Sequence, residues 1–395
     1  MKRGHTKMKV CMLTWEFPPR IVGGIARHCY GLTRALAKLG HEMHVVTLEF
    51  PGVSDFEDVE GVKVHRVKIE LGHPNFITWT LIFNHFMEKR VAALSHLIDF
   101  DIIHVHDWLT TPSGIASKNY LNKPMVCTVH STEVGRVQHL KSPDSYMIDG
   151  LEWWMMYEAK SVIMCSNFMM KEVVNHFHLP QEKVSIIPNA IDTHEYVVDV
   201  DKEAVRKRYG VMPHEKLVVF IGRLVPQKGV EYLIRAIPLI VRNHGETKFL
   251  IVGDGWSRSN LESMATATGY GNKIRFLGFI PDSERIELLK SADVLVIPSI
   301  YEPFGIVALE GMTAGVPVVA SNVGGLSEII EHDRTGMLAY SENPESFAWC
   351  VNKVLSDHGY ADWIIENAKK KVNEEYSWES VARKVSEVYK KTCER

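Results

Sequence analysis

The sequence predicts an α/β fold of two doubly wound, parallel-sheet domains, and three observations carry that prediction. Short apolar runs rich in β-branched residues alternate with longer helical patterns, the alternation restarts near mid-chain, and glycine-bearing loops follow several of the runs. The first series has strand-like runs at Val10–Thr14, Met43–Leu48, Ile102–His106, Met125–His130, Ser161–Cys165 and Val184–Ile187. A helical stretch joins the Gly23-Gly24 loop to Gly40. The break lies between Pro188 and Pro213, where charged KEAVRKRYG separates the series. The second series runs through strand Lys216–Gly222, helix Gly229–Arg242, and strands Lys248–Gly253, Ile274–Phe276, Val294–Ile297 and Pro317–Ala320. We therefore expect domains at 1–195 and 196–375, with a C-terminal helix, 376–395, returning to the first domain and anchored by Trp378. Two such domains facing each other would bring the loops after their strands into a shared cleft, the usual ligand position of open α/β sheets.

Composition excludes several other classes. With 395 residues the chain is long enough for two cores, and 46% hydrophobic against 24% charged residues is ordinary globular material. Lys and Arg number 45 against 48 Asp and Glu, a net charge of −3, so no global basic field is present to bind nucleic acid. No apolar run reaches the roughly 18 residues that would span a membrane. The start, MKRGHTKMKVCMLTW, is basic but passes into a strand-like run without a cleavage site, so no signal peptide is expected. Six cysteines are scattered without a CxxC pair, which fits reduced, buried thiols and a cytoplasmic setting. The aromatic-rich segment 74–98, with Phe76, Trp79, Phe83 and Phe86, reads as a helix packed at a domain surface or cleft rim. Its weak basic face argues against membrane contact.

Three loops could carry chemistry. The first, Glu16 to His28, follows a strand and opens a helix. Its Gly23-Gly24 pair lets backbone approach a ligand closely, and a helix start offers N–H groups to an anion. A tight turn without a ligand remains the alternative, and the loop is not a dinucleotide fingerprint. The second, Gly222 to Gly229, carries Arg223 and Lys228, a guanidinium fork and a point charge suited to phosphate, or else a solvated pair. The third, Ser299 to Gly311, holds Glu302 and Glu310 around a Pro-Phe-Gly turn. A helix beginning near Phe304-Gly305 would aim its amides at an anion and place Glu310 about two turns in, where a carboxylate can accept hydrogen bonds from vicinal hydroxyls. His104 and His106 share one face of a strand, but the sequence places no third ligand beside them, so packing is the simpler reading and no metal is expected.

Taken together with HVHDW at 104–108, VHSTE at 129–133, SNFMMKEV at 166–173, IPNAID at 187–192, VGDG at 252–255, GVPVVAS at 315–321 and Gly324-Gly325, these loops resemble the retaining glycosyltransferases of the GT-B fold, family 4, which include the bacterial-type glycogen and starch synthases. The resemblance covers essentially the whole chain. It implies a nucleotide-sugar donor bound mainly by the C-terminal domain and an acceptor bound mainly by the N-terminal one, with domain closure in the cycle. It assigns Arg223 and Lys228 to the donor diphosphate, Glu310 to the ribose, and Glu302 to the neighbourhood of the transferred sugar. Gly305 and Ile306 would offer amides to sugar or phosphate, and Gly23 and Gly24 would close over the diphosphate. His130 would lie near the reacting carbon and the sugar 6-hydroxyl, and Asp107 would contact the sugar. Trp153 and Trp154 offer apolar faces for a glucan or pack in the core. No cofactor or metal is implied, because cations stabilise the leaving group. One departure stands out: glycogen synthases carry lysine two residues before the paired glycines, where this chain has Ile21, with Arg20 beside it.

The expected activity is a retaining glucosyltransferase extending an α-1,4-glucan from ADP- or UDP-glucose. Transfer of another hexose to a lipid or small acceptor is the alternative within enzymes, and a non-catalytic sugar-nucleotide or glucan-binding protein is the alternative outside them. The sequence leaves the donor base and oligomeric state open.

Overall fold

The computed structural model describes residues 7–394, so part of the basic start considered for a leader lies outside the described residues. The described residues form two compact units, one holding 7–190 and 378–394, the other Ile191–Ser377. Among the described residues no helix is long and apolar enough to cross a membrane.

The first unit is built on β1 (Lys9–Leu13), β2 (Glu42–Leu48), β3 (Phe56–Val59), β4 (Val62–Val67), β5 (Ile102–His106), β6 (Met125–Val129), β7 (Ser161–Met164) and β8 (Val184–Ile186). They lie in the order β3-β4-β2-β1-β5-β6-β7-β8. All neighbours are parallel except β3 and β4. Parallel strands need crossover helices on both faces, which is why β1, β5 and β6 are apolar runs buried almost throughout. Sequence reading missed the β3–β4 hairpin. Phe56–Val59 is short, polar and partly exposed, and its turn is Glu60-Gly61, with φ of 53° and 85°, rather than Asn-Gly.

The second unit has β9 (Lys216–Ile221), β10 (Thr247–Val252), β11 (Ile274–Gly278), β12 (Val294–Ile297), β13 (Val318–Ser321) and β14 (Met337–Ala339), all parallel, in the order β11-β10-β9-β12-β13-β14. Three-residue β14 was also missed. Its core joins strand residues such as Val218, Phe249 and Val296 to Leu233, Ile237 and Ile240 of the helix Val230–Asn243. In both units the chain runs outward in one direction from a central strand and then crosses to its other side. The switch falls between β1 and β5 in the first unit and between β9 and β12 in the second.

One expectation needs correction. Five of the six cysteines are buried, but Cys393 is exposed on the last helix, because it lies off the face on which Val385, Tyr389 and Thr392 are buried. The chain ends in two helices, His358–Glu375 and Trp378–Glu394, the second covering the C-terminal helix expected at 376–395. The aromatic-rich segment is the helix Phe76–Ser95, burying Ile77, Phe83, Met87 and Val91 against its own unit.

The second of the two C-terminal helices packs on the helix Gly24–Lys38 through Val381, Ala382, Val385 and Tyr389. The Trp378 indole lies so close over Gly31 that a Cβ there would overlap the ring. Gly31→Ala should therefore cost about 1–3 kcal/mol of stability through overpacking. A urea-unfolding midpoint equal to that of the wild type would contradict this close fit.

Candidate active site

The switch point of the second unit gathers the cations and carboxylates singled out in the sequence. The loop leaving β9 runs from Gly222 to a short 3-10 turn at Pro226–Lys228, and the loop leaving β12 runs from Pro298 to Gly305. They are held together by Ile300 N–H donating to Gln227 O at 2.8 Å. Gly229, at φ 59°, is required there, since a Cβ would collide with the carbonyl of Pro298. Across this junction Lys228 Nζ donates to Glu302 Oε2 at 2.7 Å, and Ser299 Oγ donates to the same oxygen at 3.2 Å. Gly325 N–H donates to the carbonyl of Glu302 at 2.9 Å and fixes the backbone from the other side. Arg223 is exposed on the first of these loops. Gly305 is buried and caps the helix Ile306–Ala314, whose first residue is half-buried. This arrangement sets a cation, a carboxylate and a helix start at the position where an open α/β sheet binds nucleotides.

Glu310 lies about one turn into that helix, not two, because the helix begins at Ile306, later than the Pro-Phe-Gly turn suggested. It is buried and forms an ion pair with Arg285 of the helix Asp282–Ser291, itself nearly buried. Burial works against the Arg285 charge, but Glu310 outweighs it and raises the guanidinium above its ordinary value. Sequence reading missed Arg285, whose only signal was an arginine inside an otherwise ordinary surface pattern.

The switch point of the first unit has a different electrostatic character. Glu16, 1% exposed, turns back over the start of the helix Gly24–Lys38, and its Oε2 accepts Val22 N–H at 2.6 Å and Gly23 N–H at 3.0 Å. Burial raises its carboxyl above the usual range, against the pull of those amides. The Gly23 amide thus already holds an internal carboxylate, while Gly24 is exposed. Ile21 is half-buried, and Arg20 is bound to the carbonyl of Glu49 through Nε at 3.3 Å and Nη2 at 2.8 Å.

Asp107 follows β5 with φ 56° and is buried. Its Oδ1 accepts His130 N–H at 2.6 Å, and burial pushes its carboxyl up to about 6. His130, at the end of β6, is half-buried. Its Nε2 lies 3.0 Å from His106 Nδ1, and burial lowers it to about 3. His28, on the helix Gly24–Lys38, packs edge-on to the His130 ring at 4.7 Å. Burial and its histidine neighbours hold both His28 and His106 well below the usual imidazole range. His104 is used otherwise: its ring nitrogens bond to Tyr389 Oη and Thr128 Oγ1, both at 2.7 Å. The structure therefore gives His106 two further histidine neighbours that the sequence did not place.

Trp153 and Trp154 lie on the helix Pro143–Glu158, 46% and 38% exposed, so neither is a core residue, and Trp153 stacks on Tyr157 at 5.1 Å. Beside them Glu152 is buried. Both its oxygens accept Glu133 N–H at 2.9 Å, and Arg136 reaches it at 3.1 Å. Arg136 also serves Glu133 at 3.0 Å. Burial pushes Glu152 up to about 8 even with Arg136 opposing. Between its ordinary 4.5 and about 8 the folded chain holds a proton that the unfolded chain has lost, so stability falls as pH rises through that window. Glu152→Gln should flatten this fall in unfolding free energies measured from pH 5 to pH 8. An unchanged slope would show that Glu152 is ionised throughout.

Comparison with known proteins finds relatives along the whole chain. Residues 22–195 match the family model described as Glycosyltransferase Family 4, and residues 201–371 match the model described as Glycosyl transferases group 1. The chain is 45% identical over 386 residues to an uncharacterized glycosyltransferase of Methanocaldococcus jannaschii, covering 97% of this chain and 98% of that one. It is 33% identical over 398 residues to the glycogen synthase of Mycobacterium tuberculosis, covering 97% and 94%. The sucrose-phosphate synthase of Thermosynechococcus elongatus shares the fold, with TM-score 0.84 and 23% identity across 98% of this chain and 99% of that structure. The chain belongs to the GT-B glycosyltransferases of family 4.

Proposed function

We propose that the chain is a retaining glucosyltransferase that extends an α-1,4-glucan from ADP- or UDP-glucose. The observation that carries the reading is the Lys228–Glu302 pair at the β9/β12 switch point, with Arg223 on the same loop. In this reading the donor diphosphate replaces Glu302 as the partner of Lys228, and Arg223 adds a second positive charge, so the departing nucleoside diphosphate is stabilised without a metal cofactor. Glu302, released toward the sugar, accepts hydrogen bonds from its hydroxyls, while the amides of Gly305 and Ile306 face the phosphate or sugar. Glu310, held by Arg285, accepts from the ribose hydroxyls. The first unit carries the acceptor side. A neutral His130 donates to or accepts from a sugar hydroxyl without adding charge, Asp107 holds its backbone, and exposed Trp153 and Trp154 offer faces on which glucose units stack. The acceptor hydroxyl gives its proton to the departing phosphate oxygen as the new glycosidic bond forms on the same face, and Glu302 is not a nucleophile.

The similarity to a glycogen synthase supports a glucan acceptor, and scattered cysteines without a CxxC pair support a cytoplasmic enzyme. A second reading, transfer to a small acceptor, is favoured by Ile21 standing where glycogen synthases carry lysine and by Arg20 being engaged at Glu49. In this second reading the same donor site serves a shorter acceptor.

Purified chain without added metal, given ADP- or UDP-glucose with and without glycogen, should release nucleotide in a glucan-dependent way and lengthen α-glucan chains. Release without chain growth would favour the small acceptor, and silence with both donors would contradict a glucosyl donor. Lys228→Ala should lower turnover roughly hundredfold or more with little change in melting temperature. A folded variant that turns over normally would remove the leaving-group role.

A further inference from the structure

Three histidines, of which only His130 has a proposed role in sugar binding, converge in the first unit. His28 comes from the first helix, His106 from the end of β5 and His130 from the end of β6, and one ring nitrogen of each lies within 4.8 Å of the others. His106 Nδ1 and His130 Nε2 are already 3.0 Å apart. Two ligand nitrogens on one tetrahedral zinc stand roughly 3.3 Å apart, so this pair needs to open by only a few tenths of an ångström. The remaining ligand is the unusual one. His28 is 4% exposed, yet neither of its ring nitrogens makes a well-aligned hydrogen bond, although the Asn189 side chain is near enough to act on it, and Nε2 of His106 is buried without a partner. Buried polar nitrogens are normally satisfied, so a buried imidazole with poorly satisfied nitrogens beside the His106–His130 pair is a place where an electrophile would be welcomed. Neutral imidazole is the preferred form for ligating borderline divalent ions, and three histidines with an open fourth position form a familiar zinc set. Negative charge is close by. Asp107 adjoins His106 in sequence and binds the amide of His130, and the buried carboxylates of Asp107 and Glu16 are near enough to repel each other.

We propose that His28, His106 and His130 bind one borderline divalent transition-metal ion, with Zn2+ as the type case, and that the bound ion withdraws His130 from substrate and inhibits transfer. The ion is an inhibitory ligand and not a cofactor, which is consistent with a reaction driven by Lys228 and Arg223. The binding site stands independently of the substrate assignment, whereas the inhibition rests on His130 facing the sugar.

The test begins with chelator-treated chain titrated with Co2+. The expected result is one ion per chain with the visible absorption of a tetrahedral site, bleached by one equivalent of Zn2+. His28→Gln and His106→Gln should lose that absorption, and His44→Gln, which alters a histidine pair elsewhere in the sheet, should keep it. X-ray absorption of the Zn2+-loaded wild type should count three imidazole ligands, a measurement that needs no variant to fold. Fewer than three imidazoles, no visible absorption, or absorption retained in both cluster variants would overturn the site. Equimolar Zn2+ should then lower glucan extension at least tenfold, with chelator restoring it. Extension that persists with three imidazoles bound would overturn the inhibition. If the metal-free chain transfers no sugar at all, the substrate assignment fails, while the Co2+ and X-ray results still decide the site.

Discussion

A parallel strand can be reached only by a crossover, and that requirement decides where this chain can collect its chemistry. Every loop that leaves a parallel strand emerges at the same edge of its sheet. Where the strand order reverses, the two loops diverge to opposite faces and leave a crevice. The second unit puts Arg223 and Lys228 on one such loop and Glu302 on the other. The first unit puts Glu16 and the paired glycines on one and Asp107 on the other, with His130 one strand further along. These residues are distant in sequence, and each set meets only because the crossovers force it to.

The two crevices are prepared in opposite electrostatic senses. In the second unit charges are paired before any ligand arrives: Lys228 with Glu302, and buried Glu310 with Arg285. A pair that shares a cation with an incoming diphosphate exchanges one anionic partner for another and avoids leaving a bare charge in a partly desolvated place. Arg285 holds Glu310 in place, and under the proposed function the carboxylate would need little reorganisation to meet a pair of hydroxyls. In the first unit burial strips charge away. His28, His106 and His130 are kept neutral, and Asp107 and Glu16 bind protons more readily than usual despite the amides bound to them. A neutral, hydrogen-bonding surface suits an uncharged carbohydrate better than an ionised one does.

The fold class was legible because buried parallel strands are continuous apolar runs. Val294–Ile297 and Ile102–His106 have the bounds read from the sequence. Of the β3–β4 hairpin, β3 was not legible because a short, partly exposed edge strand leaves no such run. Strand β4 was not legible because Lys63, His65 and Arg66 interrupt its valines, although the strand is almost wholly buried. At the candidate site, Lys228 and Glu302 were visible because glycine and proline fix their loops in recognisable patterns. Glu16, Arg285 and His28 were not singled out for a role, since each depends on a partner brought from another element: the start of the first helix, Glu310, or His106 and His130. The same gap explains Gly23, whose amide was expected to be open to phosphate and instead holds the carboxylate of Glu16. A one-dimensional pattern shows which residues stand at a loop, and it does not show which of them fold inward to satisfy the backbone.

The central claim is that the β9/β12 switch point seats the diphosphate of a sugar nucleotide. Calorimetric titration of ADP and of UDP into the wild-type chain and into the double variant Arg223→Gln, Lys228→Gln tests it most directly. The account predicts one binding site for at least one of the two nucleotides in the wild type, weakened about tenfold or more in the double variant through loss of charge-assisted contacts. Equal affinity in a folded double variant would place the diphosphate elsewhere and contradict the account.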